Sequence, residues 1–253
     1  MKVTLLPSAP DTGTYQFLTT FLINETVAID AGCLGFCGGP REQARIQSVF
    51  ISHSHTDHVC SLPIFLMNIE DEATAPLAVY SHADVLDSLR TDVFNGRVWP
   101  DFLKFTRNGS PLATLTCIAS GEPVSVGALT VTPIAVNHVV RTFGFLVDDG
   151  RSVVAFSSDS GPTDEIWAVA RSHPCLKAVF MGVAFPDYLG ARAAAAGHLT
   201  PQLAKVEIGK LPAGVEIFAI HLKASHRRDV VRELQDLRLP NLAIADPGRE
   251  YCL

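Results

Sequence analysis

Three histidines and an aspartate lie within six residues, at His53, His55, Asp57 and His58. Neutral imidazole and carboxylate are the usual nitrogen and oxygen ligands of zinc and similar divalent cations. The cluster directly follows Ser48–Ser52, a β-branched and aromatic run that predicts a buried strand. Because alternate side chains of an extended segment point the same way, His53 and His55 can bind one cation. The turn into a following helix directs Asp57 and His58 elsewhere, so one loop is predicted to serve two metal ions.

Three further candidate ligands, His138, Asp159 and His221, each come just after a predicted strand. Those strands are, in order, Val126–Val136, Ser152–Phe156 and Val215–Ile220. Strands of one sheet layer that end at the same edge would bring all seven side chains together. Two sites of three ligands each, with a shared carboxylate, would leave a position for a water molecule, as a catalytic site requires.

The remaining apolar pattern predicts a mixed α/β chain. Further strands are predicted at Lys2–Leu6, Phe17–Ile29, Leu77–Tyr80, Phe143–Val147 and Ala178–Val183, and helices at Leu62–Ile69, Ala83–Leu89, Gln202–Leu211 and Arg227–Leu237. Asp30 stands where the Phe17–Ile29 strand meets a glycine turn. It is well placed to order a neighbouring loop by accepting hydrogen bonds, or else it is a plain turn residue.

Composition limits the classes of protein to consider. The 253 residues are 47% hydrophobic, which supports a large buried core, and we expect residues 1–253 to form a single domain. The formal charge is −6 and the pI is near 5.8. A chain with this charge has no broad basic face for long nucleic acid, so a polymeric substrate is disfavoured.

The compartment is predicted from what the sequence lacks. The first residues have no secretory signal pattern, and no apolar run reaches the ~18 residues that span a bilayer. The six cysteines are scattered, which favours reduced thiols and a cytoplasmic protein that does not contact membranes. The sequence leaves open whether the chain pairs with a second copy as a homodimer.

The series Asp30, His53-x-His55-x-Asp57-His58, His138, Asp159 and His221 resembles, in order and over most of the chain, the five motifs of the metallo-β-lactamase superfamily. The resemblance implies an α/β (α+β) chain folded as a four-layer αββα sandwich. It implies two divalent metal ions, zinc as the first expectation with manganese or iron as alternatives. His53, His55 and His138 would bind the first ion and Asp57, His58 and His221 the second. Asp159 would bridge the two, and Asp30 would support the cluster from behind.

Three stretches resemble the class II cyclic nucleotide phosphodiesterases within that superfamily. They are Phe94–Pro100, Val183–Asp187, and Gly197–Pro201 followed by Ile220–Lys223. The related tRNA 3′-processing nucleases have a comparable glycine-histidine element, but their protruding RNA-binding arm has no evident counterpart. Two positions depart from the family pattern: Ser61 replaces a common glycine, and the loop Pro7–Gly13 lacks the glycine-rich form.

The resemblance predicts a hydrolase that converts 3′,5′-cyclic nucleotides to nucleoside 5′-monophosphates. Asp57, Asp159 and His198 are the candidate catalytic residues, with His198 as a general acid or oxyanion contact. Asn95, Trp99 and Lys223 are the candidate substrate-binding residues, although the residues around Trp99 by themselves favour a satellite core over a stacking surface. The alternatives are another hydrolase of the superfamily, an RNA-processing nuclease or a thioesterase, and a non-catalytic metal-binding protein.

Overall fold

A computed structural model describes residues 1–9, 14–107 and 109–253. Residues 10–13 of the loop that departs from the family pattern therefore lie outside the described part of the chain. The strands are β1 (Lys2–Leu5), β2 (Phe21–Ile23), β3 (Val27–Ile29), β4 (Ser48–Phe50), β5 (Leu77–Ser81), β6 (Thr106–Arg107), β7 (Ser110–Pro111), β8 (Ala113–Cys117), β9 (Val124–Val126), β10 (Leu129–Val136), β11 (Thr142–Asp148), β12 (Val153–Phe156), β13 (Leu176–Gly182), β14 (Glu216–Ile220), β15 (Leu242–Ile244) and β16 (Glu250–Cys252).

The helices are short and lie between the parallel strands or after them. They are α1 (Pro40–Gln43), α2 (Thr56–Val59), α3 (Leu62–Ile69), α4 (Ala83–Ser88), α5 (Glu165–Ala170), α6 (Gly190–Ala195), α7 (Pro201–Ile208) and α8 (Arg227–Asp236). Single turns of 3₁₀ helix occupy Leu34–Phe36, Phe102–Lys104, Asp187–Leu189 and Ala224–His226, and a π turn extends α4 over Leu89–Val93.

Two seven-stranded sheets carry most of the structure. The first has the order β16-β1-β2-β3-β4-β5-β8, and the second has the order β15-β14-β13-β12-β11-β10-β9. Each sheet is mixed: β3, β4, β5 and β8 run parallel in the first, and β12 to β15 run parallel in the second. Parallel strands end at one edge, so loops that leave them can share a site there.

The two sheets pack face to face through buried aromatic rings. The ring of Phe21 lies 4.9 Å from that of Phe156 and 5.0 Å from that of Phe180, centroid to centroid. The ring of Phe50 lies 5.9 Å from that of Phe145. These side chains belong to one apolar cluster that draws on both sheets, so the inner layers share a core.

Helices cover the outer faces of both sheets. Phe65 and Val85, from α3 and α4, are buried in the cluster outside the first sheet. Trp167, Ala204 and Val230, from α5, α7 and α8, are buried in the cluster outside the second sheet. The layers therefore follow the order helix, sheet, sheet, helix, and the predicted αββα sandwich is confirmed.

The sequence predicted one long strand where the structure has a hairpin. The prediction over Phe17–Ile29 was wrong because β2 and β3 are joined by a tight turn at Asn24 and Glu25, whose φ angles are 46° and 61°. Such turns need positive φ at both central residues, and asparagine-glycine is their usual signal. Asparagine-glutamate gives a weaker signal, so the turn was missed.

The C-terminal segment is the second difference. No strand was predicted after the helix Arg227–Leu237, but β15 pairs with β14, and β16 pairs antiparallel with β1, with Lys2 opposite Cys252. Three-residue strands carry too little periodicity to be recognised without their partners. The pairing closes the first sheet with residues from both ends of the described chain.

A buried carboxylate links α5 to α7. Glu207 is 1% exposed. Its carboxylate accepts hydrogen bonds from the Trp167 indole at 2.7 Å, the Thr163 amide at 3.1 Å and the Lys210 ammonium at 2.8 Å. These contacts fix α7, the helix that follows His198 in the chain.

We expect Glu207→Ala to lower the free energy of unfolding by about 3 kcal/mol, because it leaves the buried Trp167 indole and the Thr163 amide without their acceptor, whereas Lys210 keeps its contact with Asp164. Urea denaturation measures the change. Glu122→Ala, which removes an exposed carboxylate from a surface turn, should stay within about 0.5 kcal/mol of the parent. Equal stabilities of the two variants would show that the Glu207 contacts contribute little.

Candidate metal centre

Five loops that leave strand ends carry the side chains of the candidate site. Asp30 follows β3, and His53 and His55 follow β4 with Asp57 and His58 in the adjoining helix α2. The second sheet contributes His138 after β10, Asp159 after β12 and His221 after β14. The structure brings all seven candidate ligands named by the sequence into two adjoining groups.

The first group contains His53, His55, His138 and Asp159. One nitrogen or oxygen atom from each residue lies within 4.8 Å of the others. The shortest separations include 3.4 Å between Nε2 of His138 and Nδ1 of His55, and 3.8 Å between Nε2 of His53 and Oδ2 of Asp159. Atoms at these spacings can coordinate one cation of the size of zinc.

The second group contains Asp57, His58, His221 and again Asp159, within the same 4.8 Å limit. Oδ2 of Asp159 lies 3.3 Å from Nε2 of His221 and 3.5 Å from Nε2 of His58. Oδ2 of Asp57 lies 3.8 Å from Nε2 of His58 and 3.9 Å from Nε2 of His221. Asp159 is common to both groups, which is the geometry of a carboxylate that can bridge two ions.

Four of the histidines have their second ring nitrogen engaged away from the centre. Nδ1 of His53 contacts Ser52 Oγ at 2.9 Å, Nδ1 of His58 contacts Asp30 at 2.7 Å, Nδ1 of His138 contacts the Gly197 carbonyl at 2.9 Å, and Nδ1 of His221 contacts Thr19 Oγ1 at 3.4 Å. A proton on each Nδ1 leaves Nε2 with a free lone pair directed into the group. Such outer partners fix the tautomer and orientation of metal-binding histidines.

Asp30 orients two histidines of the candidate centre, His53 and His58, through hydrogen bonds on the side away from it. Its buried carboxylate accepts hydrogen bonds from the Ser52 amide at 2.7 Å, the Ser52 hydroxyl at 2.9 Å and Nδ1 of His58 at 2.7 Å. Because the Ser52 hydroxyl donates to Asp30, it accepts the proton of Nδ1 of His53. One carboxylate thereby orients two histidines.

Backbone strain is concentrated at this edge. Asp30, Ser158 and His221 have φ angles of 60°, 52° and 58°, in the left-handed region that non-glycine residues seldom adopt. Each lies in the candidate site or next to one of its residues. Strained backbone of this kind persists where surrounding contacts hold it, and it clusters at functional sites.

Several buried polar atoms of the centre have no partner among the described residues. They are Nε2 of His53, His58 and His221, and Oδ1 of Asp159. Leaving a buried acceptor without a hydrogen bond costs about 1 to 3 kcal/mol each. A divalent cation would satisfy these atoms together, and the nitrogen and oxygen donors match those that zinc, manganese and iron accept. The residues present therefore fit a metal.

Burial and neighbouring charges set the protonation of the centre. Burial lowers the pKa values of His53, His138 and His221 below the usual range for histidine. Burial opposes ionisation of Asp159, but His221, His58 and His53 hold the pKa of its carboxyl well below the ordinary value. Burial also opposes a charge on His58, while Asp30 and Asp159 raise its pKa well above the ordinary value. His53, His138 and His221 are thus neutral and able to coordinate a metal, whereas His58 carries a proton that a bound metal would replace.

His198 lies beside both groups without belonging to either. Its ring centroid is 5.1 Å from that of His138 and 5.4 Å from that of His221. Burial lowers the pKa of His198 to about 4, so it is neutral near pH 7. The preceding residue, Gly197, has a φ of 65°, and a Cβ there would lie 2.9 Å from Nδ1 of His138. Glycine at this position is what permits its carbonyl to reach His138.

Lys223 lines a cavity that opens onto the second group. This cavity has a volume of about 360 Å³, and Asp57, His221 and Phe17 also line it. Volumes of about 300 to 1,000 Å³ are usual for small-molecule sites. The lysine is therefore placed where it can meet an anionic ligand of the centre.

Asn95 and Trp99 are placed differently. Oδ1 of Asn95 accepts from the amides of Arg97 and Val98, both at 2.9 Å, and its Nδ2 donates to the Thr91 carbonyl at 2.8 Å. The Asn95 side chain thus closes its own turn. Trp99 is half-buried against the apolar cluster outside the first sheet. Among the interactions found in the described ranges, neither the Asn95 nor the Trp99 side chain contacts any of the seven candidate ligands. Their substrate-binding role therefore stays a prediction.

Sequence reasoning missed several supporting residues. Ser52, Thr19 and the Gly197 carbonyl each hold a histidine. Ser61, the departure from the family pattern, is buried and links the Ala31 carbonyl to the Gly35 amide through its hydroxyl, at 2.7 and 3.0 Å. Adjacency to the histidine cluster could have singled out Ser52, whereas Thr19 had no local signal.

The comparison with known families agrees with this geometry. A family profile described as "Beta-lactamase superfamily domain" matches residues 28–222, well over half of the chain and nearly the whole set of site residues. The chain belongs to the metallo-β-lactamase superfamily. The superfamily and fold predicted from the motifs are both confirmed.

Relatives in this superfamily carry more than one name. A probable 3′,5′-cyclic-nucleotide phosphodiesterase from Yersinia pestis is 27% identical over 226 residues, 81% of this chain and 64% of that protein. A ribonuclease Z from Limosilactobacillus fermentum is 26% identical over 106 residues, 42% of this chain and 32% of that protein. The chain thus spans less than two thirds of the length of each of these relatives.

A solved structure supports the same fold over nearly the full chain. Unliganded yeast PDE1 superimposes with a TM-score of 0.79 at 17% identity, covering 98% of both chains. At that identity the likeness concerns the fold. No helix in the described ranges is both long and apolar enough to cross a bilayer.

A substitution at Gly32 tests how tightly the segment that carries Asp57 is packed. A Cβ at Gly32 would overlap the Asp57 carbonyl and lie 2.7 Å from the Thr19 amide nitrogen. We expect Gly32→Ala to displace α2 with Asp57 and His58, and so to lower both the melting temperature and the zinc content after reconstitution.

Gly39→Ala is the matched control, because a Cβ there meets nothing within 4 Å and the residue has an ordinary φ of −87°. It should bind zinc like the parent. Normal zinc content in the Gly32→Ala protein would show that the loop tolerates a shift, and would argue against a rigidly held centre.

Proposed function

We propose that this chain is a metal-dependent phosphodiesterase that hydrolyses 3′,5′-cyclic nucleotides to nucleoside 5′-monophosphates. The observation that carries the proposal is the pair of ligand groups that share the buried Asp159 carboxylate. The relative from Yersinia pestis that is named a probable 3′,5′-cyclic-nucleotide phosphodiesterase supports the substrate class. Because both sheets contribute to one centre, residues 1–253 would act as a single catalytic domain.

The centre would hold two divalent ions, zinc first, with manganese or iron as alternatives. His53, His55 and His138 would hold one, Asp57, His58 and His221 the other, and Asp159 both. Bound in this way, the ions would supply a nucleophile at neutral pH and stabilise negative charge on the phosphoryl group. Asp57 and Asp159 contribute by keeping the ligand set anionic and correctly spaced.

The protein's own groups would orient the phosphodiester. Lys223 lines the cavity beside the second group and would pair with a phosphoryl oxygen. His198 is neutral near pH 7, since burial lowers its pKa to about 4, so its N–H can donate a hydrogen bond to the phosphoryl group. Negative charge on a bound phosphodiester beside this ring would raise its pKa, so that the ring would take up a proton from solvent and could pass that proton to the leaving ribose 3′-oxygen.

RNA processing is the second candidate, because a relative named ribonuclease Z also matches. The formal charge of −6 disfavours a long polyanionic substrate. A thioesterase would need the same centre but no phosphate-binding lysine, and a non-catalytic metal-binding protein would need no His198 beside it. A panel of cyclic AMP, cyclic GMP, a thioester and a tRNA precursor, assayed with zinc and with manganese, separates these functions.

The six cysteines are all free thiols in the structure, which agrees with a reducing compartment. A cytoplasmic location is therefore part of the proposal.

We expect Asp159→Ala to lose most bound zinc and to lower kcat for cyclic AMP by more than about a thousandfold, because it removes a ligand from both groups at once. Metal analysis and a nucleotide-release assay measure the two effects. Full hydrolysis by this variant would exclude Asp159 from the active site.

His198→Ala should behave differently from Asp159→Ala. We expect it to keep its zinc but to lose about a hundredfold or more in kcat, with a smaller change in KM, because the side chain acts on the transition state without holding metal. A loss of metal equal to that of Asp159→Ala would mean that His198 serves the structure of the centre, and unchanged kcat would leave it without a role in chemistry.

A further inference from the structure

Phe17 is an exposed aromatic residue at the edge of the candidate site. Its side chain is 55% exposed, yet it lines the same cavity as Asp57, His221 and Lys223. Scattered exposed apolar residues are normal on protein surfaces and need no explanation. A phenyl ring that shares a cavity with two candidate metal ligands and a lysine is a different case, because its exposed surface borders the space a ligand would occupy.

The backbone around Phe17 is tied down despite the exposed ring. Ser8 Oγ accepts hydrogen bonds from the amides of Phe17 and Leu18, at 2.7 and 3.3 Å. The Gln16 amide group donates to the Leu6 carbonyl at 2.9 Å. The residues on both sides of the phenyl ring are therefore anchored, so the ring is presented at a defined position.

The same segment is also joined to the metal centre. The Thr19 amide donates to the Asp57 carbonyl at 2.8 Å, and Thr19 Oγ1 contacts Nδ1 of His221 at 3.4 Å. Only Leu18 lies between Thr19 and Phe17 in the chain. The distance between the phenyl ring and the second ligand group is thus set by direct contacts at both ends.

A second ring supports the first. The rings of Tyr15 and Phe17 are stacked, with centroids 6.1 Å apart and an interplanar angle of 18°. Tyr15 is 39% exposed. The pair presents a wider flat apolar surface than one phenyl group, and stacking restricts the rotation of Phe17.

The cavity combines three kinds of recognition chemistry. Two candidate ligands, Asp57 and His221, line it together with Lys223, which supplies a positive charge, and Phe17, which supplies an aromatic ring. A ligand that carries a phosphate and a flat unsaturated ring within one small molecule would use all three. Base stacking on protein aromatic rings is sequence-tolerant and substantial, because every nucleobase has a π-face.

We propose that Phe17, backed by Tyr15, is the stacking surface for the nucleobase of the substrate and so determines the preference for nucleotides over other phosphodiesters. This inference rests on the proposed phosphodiesterase function and adds the residue that selects the base. Trp99, the other aromatic candidate for this role, is half-buried against the apolar cluster outside the first sheet.

The test compares a nucleotide with its base-free analogue. Wild-type and Phe17→Ala proteins, both loaded with zinc, are assayed on cyclic AMP and on ribose 3′,5′-cyclic phosphate without a base. We expect Phe17→Ala to raise KM for cyclic AMP about tenfold, as for loss of one base-stacking contact. The kinetic constants for the base-free analogue should be unchanged.

Two variants control for folding and for general loss of an exposed ring. Phe17→Tyr keeps the aromatic face and should retain the KM of the parent for cyclic AMP. Phe36→Ala removes a phenyl group that is also 55% exposed but lies on the turn Leu34–Phe36. It should leave the KM for both substrates unchanged. Melting temperature and zinc content are measured for every variant.

Equal losses on both substrates, or a Phe17→Ala protein that binds cyclic AMP like the parent, would overturn the stacking role and leave the phosphodiesterase proposal intact. Wild-type protein that carries zinc but hydrolyses no cyclic nucleotide would overturn the proposed function, and the base-selecting role would fall with it. A tenfold effect confined to cyclic AMP and reversed in Phe17→Tyr supports the inference.

Discussion

The burial of one carboxylate, Asp159, constrains the whole functional edge of this protein. A buried ionised carboxylate costs several kcal/mol unless opposite charge or hydrogen bonds compensate it. Asp159 is 3% exposed, and its surroundings are the Nε2 atoms of His53, His58 and His221. The imidazoles around Asp159, with His58 protonated, offset part of this charge, and a bound divalent cation would offset more of it. The buried carboxylate is therefore compatible with a metal site.

Both sheets contribute residues to the candidate centre. The first sheet delivers Asp30 and the cluster from His53 to His58, and the second delivers His138, Asp159 and His221. Packing of Phe21 against Phe156 and Phe180 sets the separation of the sheets. Because neither sheet holds a complete ligand group, the apolar core between them determines the spacing of the polar atoms at the edge.

Hydrogen bonds from neighbouring residues then orient the histidines of the candidate centre. Asp30 acts on His58 directly and on His53 through the Ser52 hydroxyl. The Gly197 carbonyl orients His138, and the residue after it, His198, enters the site from the same turn. Thr19 couples His221 to the segment that carries Phe17. Residues that hold the histidines therefore also position the groups proposed to meet the substrate.

The sequence alone determined which residues could form the centre. Their types, their spacing and their positions after strands depend on local chemistry and on strand periodicity, and both can be read along the chain. The same holds for helices with clear signals, such as α7, which begins after the Thr200 cap with Pro201 at its first position. The order of the motifs identified the superfamily, and with it the layered fold.

Only the tertiary structure decided which atoms meet. Thr19 and His221 are 202 residues apart, and no local pattern links them. The hairpin at Asn24 and Glu25 depends on a turn with a weak sequence signal. The pairing of β16 with β1 depends on a partner that is distant in the chain. Phe17 lies on an irregular segment, and no pattern along the chain shows that its ring lines the cavity beside His221. That placement depends on neighbours that the linear chain does not reveal.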